Sequence, residues 1–469
     1  LYRTIVSDFT NFLPMKKLSL ILLSFFATSC TFAQQITGPI KVDQRDRYFT
    51  TSVGEPFFWL ADTAWELFHR LDLVETELYL DKRKEQGFNV IQAVALAELD
   101  GLKDPNANGD IPFLDEQYTK PNEAYFRHID KVLDMALDRG IHIALLPTWG
   151  DKLFKSSWGA GPEIFTQKTA YNYGKWIGDR YKNQKNLIWV LGGDRNPRKN
   201  SDDVEVWNAM AKGILETQNT DNGQLITFHP QPASPGGSSN WFQQAEWLDF
   251  NMHQTGHCPD VATYQKISND LALSPKKPTL DAEPLYEEHP KCFDAKNQGY
   301  SEAADIRRIM YWNVFAGAAG QTYGCHAVWQ MYDLDKAPVN APLKPWQKSL
   351  DLEVANQMQH LKNLMLSESY FDRIPDQSLL TEVQKDDKNF IASTRSKDGS
   401  YAFLYFPTGQ STLLDLSSLK SKNHLIWYDP RTGVSIPEKE EWSNIGNLEV
   451  NPPSSGRGND WVLIIKSND

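Results

Sequence analysis

Short apolar runs alternate with amphipathic stretches through the first three quarters of the chain. The apolar runs are Phe57–Asp62, Phe88–Val94, His142–Pro147, the run beginning at Asn186, Leu225–Phe228, Asp249–His253, Thr279–Glu283 and Thr322–Trp329. Between them Glu75–Gln86, Glu123–Arg139, Thr169–Lys182, Val204–Glu216, Thr263–Leu273 and Ala303–Ala318 carry helical spacing. A shorter helix precedes the sixth run, and Lys348–Leu366 follows the eighth. Gly87 and Gly140 sit just past two of these stretches, where a left-handed cap ends a helix. Apolar runs separated by helices predict a parallel sheet covered on both faces. Eight of them predict the α/β class and a (β/α)8 TIM barrel. A doubly wound open sheet is the rival, but it calls for a glycine-rich phosphate turn after the first strand. Asp62-Thr63-Ala64-Trp65 is not such a turn.

The pattern changes near residue 372. Phe390–Thr394, Tyr401–Tyr405, Leu425–Tyr428 and Trp461–Ile465 read as short strands. Turn signals such as Lys397-Asp398-Gly399 and Asp429-Pro430-Arg431-Thr432-Gly433 separate them. This predicts a small antiparallel β-sandwich. The expected organisation is a leader over 1–35, a barrel over 36–372 and the sandwich over 373–469. No low-complexity linker separates the last two, so they are expected to pack closely.

The leader reads as an export signal. Met15-Lys16-Lys17 is followed by an apolar stretch from Leu18 to Ala27, too short to span a membrane. Two fates stay open, cleavage after Ala33 or lipid attachment at Cys30. Either implies an exported protein, periplasmic, at the cell surface or secreted. Of four Cys, three follow the leader without metal spacing. A Cys258–Cys292 bridge suits an oxidising compartment but stays open. The net charge of −12 argues against nucleic acid as a partner. A monomer is expected.

In a barrel the C-terminal strand ends converge on one site. The fourth run ends in Gly192-Gly193-Asp194-Arg195, and the seventh ends in Asp281-Ala282-Glu283-Pro284. Two facing carboxylates are what hydrolysis of a glycosidic bond needs. Asp194 is assigned as general acid/base and Glu283 as nucleophile. For a retaining enzyme the two groups stand about 5 to 5.5 Å apart, against about 6.5 to 9.5 Å for an inverting one. The plain alternatives are a loop-capping Asp194 and a salt-bridged Glu283. Asp62, Trp65, Glu98, Trp149, Arg195, His229, His253, Tyr323, His326, Trp329 and Gln330 fall at or after strand ends and are the candidate substrate-binding set. Rings interleaved with hydrogen-bonding groups suit a sugar, and 15 Trp exceed what cores alone require. No HExxH, CxxC pair or calcium-type ladder is present, so neither a metal nor a cofactor is expected.

Several of these runs together resemble the apiosidase-like barrels of glycoside hydrolase family 140. They are Phe57-Phe58-Trp59-Leu60-Ala61-Asp62-Thr63-Ala64-Trp65, Gly87-Phe88-Asn89-Val90-Ile91-Gln92, Leu146-Pro147-Thr148-Trp149-Gly150, Gly192-Gly193-Asp194-Arg195-Asn196, Asp281-Ala282-Glu283-Pro284 and Tyr323-Gly324-Cys325-His326. Trp427-Tyr428-Asp429-Pro430-Arg431-Thr432-Gly433 extends the resemblance into a C-terminal module labelled collagen-binding. The resemblance implies a retaining exo-enzyme that removes apiose from the galacturonic acid backbone of the pectin rhamnogalacturonan II. It matches the family's acid/base to Asp194 and its nucleophile to Glu283. The wider clan places Asn-Glu after strand four, and Asp194 departs from that pattern. Two competing readings are a hydrolase of another plant glycan linkage, including an endo-acting one, and a non-catalytic glycan-binding protein. The intact carboxylate pair argues against the latter.

Overall fold

The computed structural model describes residues 36–218, 223–385, 388–443 and 446–467. The leader, its cleavage after Ala33 and lipidation of Cys30 lie outside these residues. Among the described residues, eight parallel strands carry the larger part of the chain. They are β1 (Trp59–Thr63), β2 (Val90–Val94), β3 (His142–Leu146), β4 (Leu187–Gly192), β5 (Ile226–His229), β6 (Asn251–Gln254), β7 (Thr279–Glu283) and β8 (Gly320–Tyr323). Every position in all eight is buried, as expected of parallel strands covered on both faces. Six form one sheet in the order β8-β1-β2-β3-β4-β5, and β7-β6 form a second ladder. Between β5 and β6 the backbone is joined by Asp249 N donating to Ile226 O at 2.9 Å, and between β7 and β8 by Ala319 N to Thr279 O at 3.0 Å. Gln92 of β2 donates to Ala282 O of β7 at 2.9 Å.

The main helices are α1 (Leu73–Glu85), α2 (Glu123–Asp138), α3 (Gln167–Tyr181), α4 (Asp203–Leu215), α5 (Thr263–Leu271), α6 (Ala303–Phe315) and α7 (Glu353–Leu366). Their starts follow local chemistry. Asp72 accepts from Val74 N and Glu75 N at 2.8 and 2.9 Å while the Glu75 carboxylate accepts from Asp72 N at 3.1 Å, a reciprocal cap. No helix among the described residues is long and apolar enough to cross a membrane.

The first and eighth strands differ from the sequence pattern, and the expected helix over Lys348–Leu366 is two, Trp346–Ser349 and Glu353–Leu366. The first strand begins at Trp59, because Pro56–Phe57 pairs with Phe49–Thr50 in an antiparallel sheet that also holds Lys41–Val42. Strands of two residues are too short to show a period. The eighth strand stops at Tyr323, and His326–Trp329 forms a helical turn instead of continuing it. Val328 N and Trp329 N both donate to Cys325 O, and His326 N donates to Glu287 O, so a ladder partner is not needed there.

The C-terminal part holds two antiparallel sheets. Its strands are β9 (Arg373–Pro375), β10 (Ala392–Ser396), β11 (Tyr401–Phe406), β12 (Thr412–Asp415), β13 (Lys422–Tyr428), β14 (Ser435–Ser443), β15 (Asn447–Val450) and β16 (Trp461–Ser467). One sheet has the order β9-β10-β11-β16-β13-β14, and β12-β15 form the other. The alternation in β11 explains the packing. Ala402, Leu404 and Phe406 join a core with Leu414, Leu448 and Val450 of the smaller sheet. Tyr401, Phe403 and Tyr405 point the other way, into the core shared with α6. Tyr405 stacks on Tyr311 with centroids 4.8 Å apart, and Phe403 lies 6.3 Å from Phe315. Arg307 of α6 grips Asp460 with two bonds of 2.9 and 2.7 Å, both side chains buried. The aromatic face of this sheet is consumed by packing against the parallel-strand part.

Candidate active site

Asp194 stands two residues beyond β4 at φ 51°, a left-handed conformation that Asp tolerates better than most residues. The turn that aims it depends on Gly192 and Gly193, both at positive φ. A Cβ on Gly192 would lie 2.3 Å from His229 O, and one on Gly193 2.8 Å from the Trp149 ring. No other residue permits so close an approach. Burial pushes the Asp194 carboxyl up to about 7, and the Glu283 charge adds to it. Arg195, His229 and a hydrogen bond from Gln254 pull it back only in part.

Glu283 reaches the same place through a defect in its ladder. Asp281, two residues earlier, accepts from Thr255 Oγ1 at 2.7 Å and from Asn313 Nδ2 of α6 at 3.0 Å. It faces the helix layer, and strict alternation would send Glu283 there too. Asp281 lies opposite His253, but Glu283 lies opposite Gln254, so the register slips by one between them. A bulge of this kind re-aims a side chain. Glu283 then meets His229 Nε2 at 3.2 Å from Oε2 and His257 Nε2 at 3.2 Å from Oε1. Burial alone would raise its pKa, but the two imidazoles outweigh burial and hold the carboxylate below its usual range. Asp194 and Glu283 retain 18% and 8% side-chain exposure, so both reach solvent.

Trp65, Trp149, His229 and Glu98 of the predicted set surround this pair. Trp65 lies 5.1 Å from Trp149 and 5.3 Å from His229, centroid to centroid. The Trp149 indole nitrogen is buried without a partner. Glu98 follows β2, and burial, then the Asp194 charge, lifts its pKa well above the ordinary carboxylate range.

Asp62, Tyr323 and His253 do not join them. Asp62 is fully buried, and its Oδ2 accepts from Tyr79 and from Arg83 Nε, both at 2.6 Å. Tyr323, its ladder partner, donates to Glu287 at 2.7 Å, and the Arg83 guanidinium lies over its ring. Both therefore face the helix layer. His253 does likewise, its Nε2 2.9 Å from Asp270 of α5. Arg195 has two readings from the sequence, holding a substrate carboxylate or keeping a neighbouring acid ionised, and its Nη1 lies 3.6 Å from Asp194 Oδ2. Its hydrogen-bond donors go to Phe154 O, Asp194 O and Lys155 O at 2.9, 2.6 and 3.0 Å. Gln330 is spent on His326 O and on both backbone groups of Val339. His326 Nε2 lies 2.9 Å from Asn340 O, and Trp329 Nε1 donates to His326 Nδ1 at 3.3 Å. These three pin the loop after β8. Removing one partner of a buried ion pair costs about 3–5 kcal/mol. Arg83→Met is therefore expected to lower the urea midpoint of unfolding by a corresponding amount. An unchanged midpoint would show Asp62 to be free of that structural duty.

Residues missed in the sequence include Gln254 and His257. Gln254 is adjacent to the chosen His253, one step along the alternation. His257 lies beyond the end of β6, where no periodicity points to it. The open question of the cysteines is resolved, since Cys258 and Cys292 are joined by a disulfide. That bridge sits beside His257, whose carbonyl accepts from Cys292 N at 2.8 Å and whose ring stacks on His289 at 4.1 Å. Among the described residues no group of three or more His, Cys, Asp or Glu is arranged to hold a metal ion.

Comparison with known proteins places the chain in a family. Residues 43–372 match the family described as "Apiosidase-like, catalytic domain". Residues 374–466 match "Putative collagen-binding domain of a collagenase". A solved structure titled "Glycoside hydrolase" is 31% identical with a TM-score of 0.82, covering 92% of this chain and 97% of its own. A glycoside hydrolase family 5 structure from Bacteroides vulgatus ATCC 8482 is also 31% identical with a TM-score of 0.82, covering 92% of this chain and 93% of its own. Another structure from that organism shares the fold at 16% identity and a TM-score of 0.66, over 92% of this chain and 82% of its own. No curated protein matches the chain. The chain belongs to the apiosidase-like catalytic-domain family, and its larger part is a glycoside hydrolase-type catalytic domain.

Proposed function

We propose that this protein is an exported, retaining exo-glycoside hydrolase that releases apiose from side chains of pectic rhamnogalacturonan II. The eight parallel strands are read as a closed barrel, joined across its two ladder gaps by the backbone bonds described above. The observation that carries the catalytic reading is a pair of carboxylates brought to one strand-end site with unlike surroundings, Asp194 beside Arg195 and Glu283 between the His229 and His257 imidazoles. Asp194 is held protonated up to about pH 7, while Glu283 is held ionised. Environments that push a pair apart in this way mark an acid and a nucleophile.

In the first step a Glu283 oxygen attacks the anomeric carbon as the glycosidic bond breaks, and Asp194 gives its proton to the departing oxygen. A glycosyl ester on Glu283 results. In the second step Asp194, now ionised, takes a proton from water as that water attacks the anomeric carbon and Glu283 leaves. Trp65 and Trp149 supply apolar walls beneath the sugar. The apiose assignment rests on the resemblance, and export rests on the leader.

Incubation with rhamnogalacturonan II oligosaccharides, followed by analysis of released monosaccharides, tests the substrate. Apiose is the expected product. Release of a different sugar would replace the substrate, and products longer than one sugar would replace the exo mode.

A further inference from the structure

Among the described residues, Trp158 is the one tryptophan that is largely exposed, at 52%. Its indole lies over Arg195, with the guanidinium carbon 4.5 Å from the ring centroid. Arg195 itself is held by three hydrogen bonds. Its donors are fixed on the carbonyls of Phe154 and Lys155, from the loop that carries Trp158, and of Asp194, from the end of β4. One side chain thus ties the Trp158 loop to the residue assigned as acid. The loop is closed further by Gly159 N donating to Lys155 O at 3.1 Å and Gly161 N to buried Asp151 at 2.8 Å.

A large indole left in water forgoes the gain of burial. Here that surface is also biased toward one position by its stack on the hydrogen-bonded Arg195 guanidinium. A flat, pre-positioned ring with one free face suits the apolar face of a sugar ring, and fixing it in advance lowers the entropy lost on binding. Direction follows from the acid. General-acid catalysis puts the proton donor beside the leaving oxygen, and Trp158 is coupled to Asp194 through Arg195.

We propose that Trp158 is a stacking platform for a pyranose ring of the departing polysaccharide, on the leaving-group side of the cleaved bond. This rests on the assignment of Asp194 as acid.

The test compares rhamnogalacturonan II oligosaccharides with methyl apioside, whose aglycone is too small to stack. Trp158→Ala is expected to lower kcat/KM on the oligosaccharides about tenfold, mostly through KM. Methyl apioside turnover is expected to stay within about twofold of wild type. Trp158→Phe, which keeps a flat ring, should restore most of the loss, and Trp158→Leu, which keeps bulk alone, should not. An equal loss on both substrates, or no loss on the oligosaccharides, would overturn the platform. Calorimetric binding of the oligosaccharides to Glu283→Gln, with and without Trp158→Ala, separates this from the functional reading. Trp158-dependent binding alongside an inactive wild type would fault the apiosidase reading and leave the platform standing.

Discussion

Glu283→Gln is expected to lower kcat on a glycoside substrate by on the order of 10⁴-fold, with KM little changed. The amide keeps the shape of the carboxylate but carries no charge with which to attack carbon. Its neighbours are expected to remain in place, because the bulge that aims position 283 belongs to the backbone ladder with β6. A loss of that size corresponds to about 5.5 kcal/mol of transition-state stabilisation, more than loss of a neutral contact explains. Glu283→Ala adds a chemical test. With azide present and an activated aryl glycoside as substrate, the small anion is expected to occupy the vacated position and restore turnover. The product should be a glycosyl azide of inverted anomeric configuration. Residual activity within tenfold of wild type in Glu283→Gln would remove the nucleophile assignment. Failed rescue with inverted hydrolysis products would replace the retaining mechanism with an inverting one.

The alternation of apolar runs and helices made the parallel strands legible, because buried parallel strands have no polar face to confuse the pattern. The strand-end carboxylates were legible for the same reason, since each interrupts an apolar run. What the pattern could not show is which side of the sheet a given side chain faces. Asp62 and Tyr323 are opposite one another in the ladder and both meet Arg83 of α1 behind the sheet. His253 likewise turns to Asp270, and its neighbour Gln254 faces Asp194. One residue of register separates a ligand group from a structural one. Glu283 escapes this rule only through a bulge, which no periodicity predicts. His257 and Trp158 were illegible for another reason. Each lies in a loop placed by a tertiary tie, the Cys258–Cys292 bridge in one case and the Arg195 clamp in the other.

Asp194→Asn is expected to remove the alkaline limb of the pH profile. In the wild type the acid must be protonated to assist departure of the leaving group. Its carboxyl is raised to about 7, so kcat/KM should hold through mildly acidic pH. It should then fall about tenfold per pH unit above 7, as the proton is lost. The acidic limb belongs to Glu283, which must be ionised. Because the two imidazoles hold it below the ordinary carboxylate range, activity should persist below pH 4. The size of the Asn effect depends on the leaving group. With methyl apioside, a loss of about 10²–10⁴-fold is expected. With a dinitrophenyl leaving group, formation of the glycosyl-enzyme needs little proton assistance, and its burst should survive while the second step slows. The Glu283 charge is itself a cause of the raised Asp194 pKa. Esterification of Glu283 removes that charge, so Asp194 becomes more acidic at the moment it must accept a proton from water. The same residue then serves as acid and as base without moving. An alkaline limb that stays near pH 7 in Asp194→Asn would assign the acid to another group, with Glu98 the first to test, since its pKa is also raised well above the ordinary value.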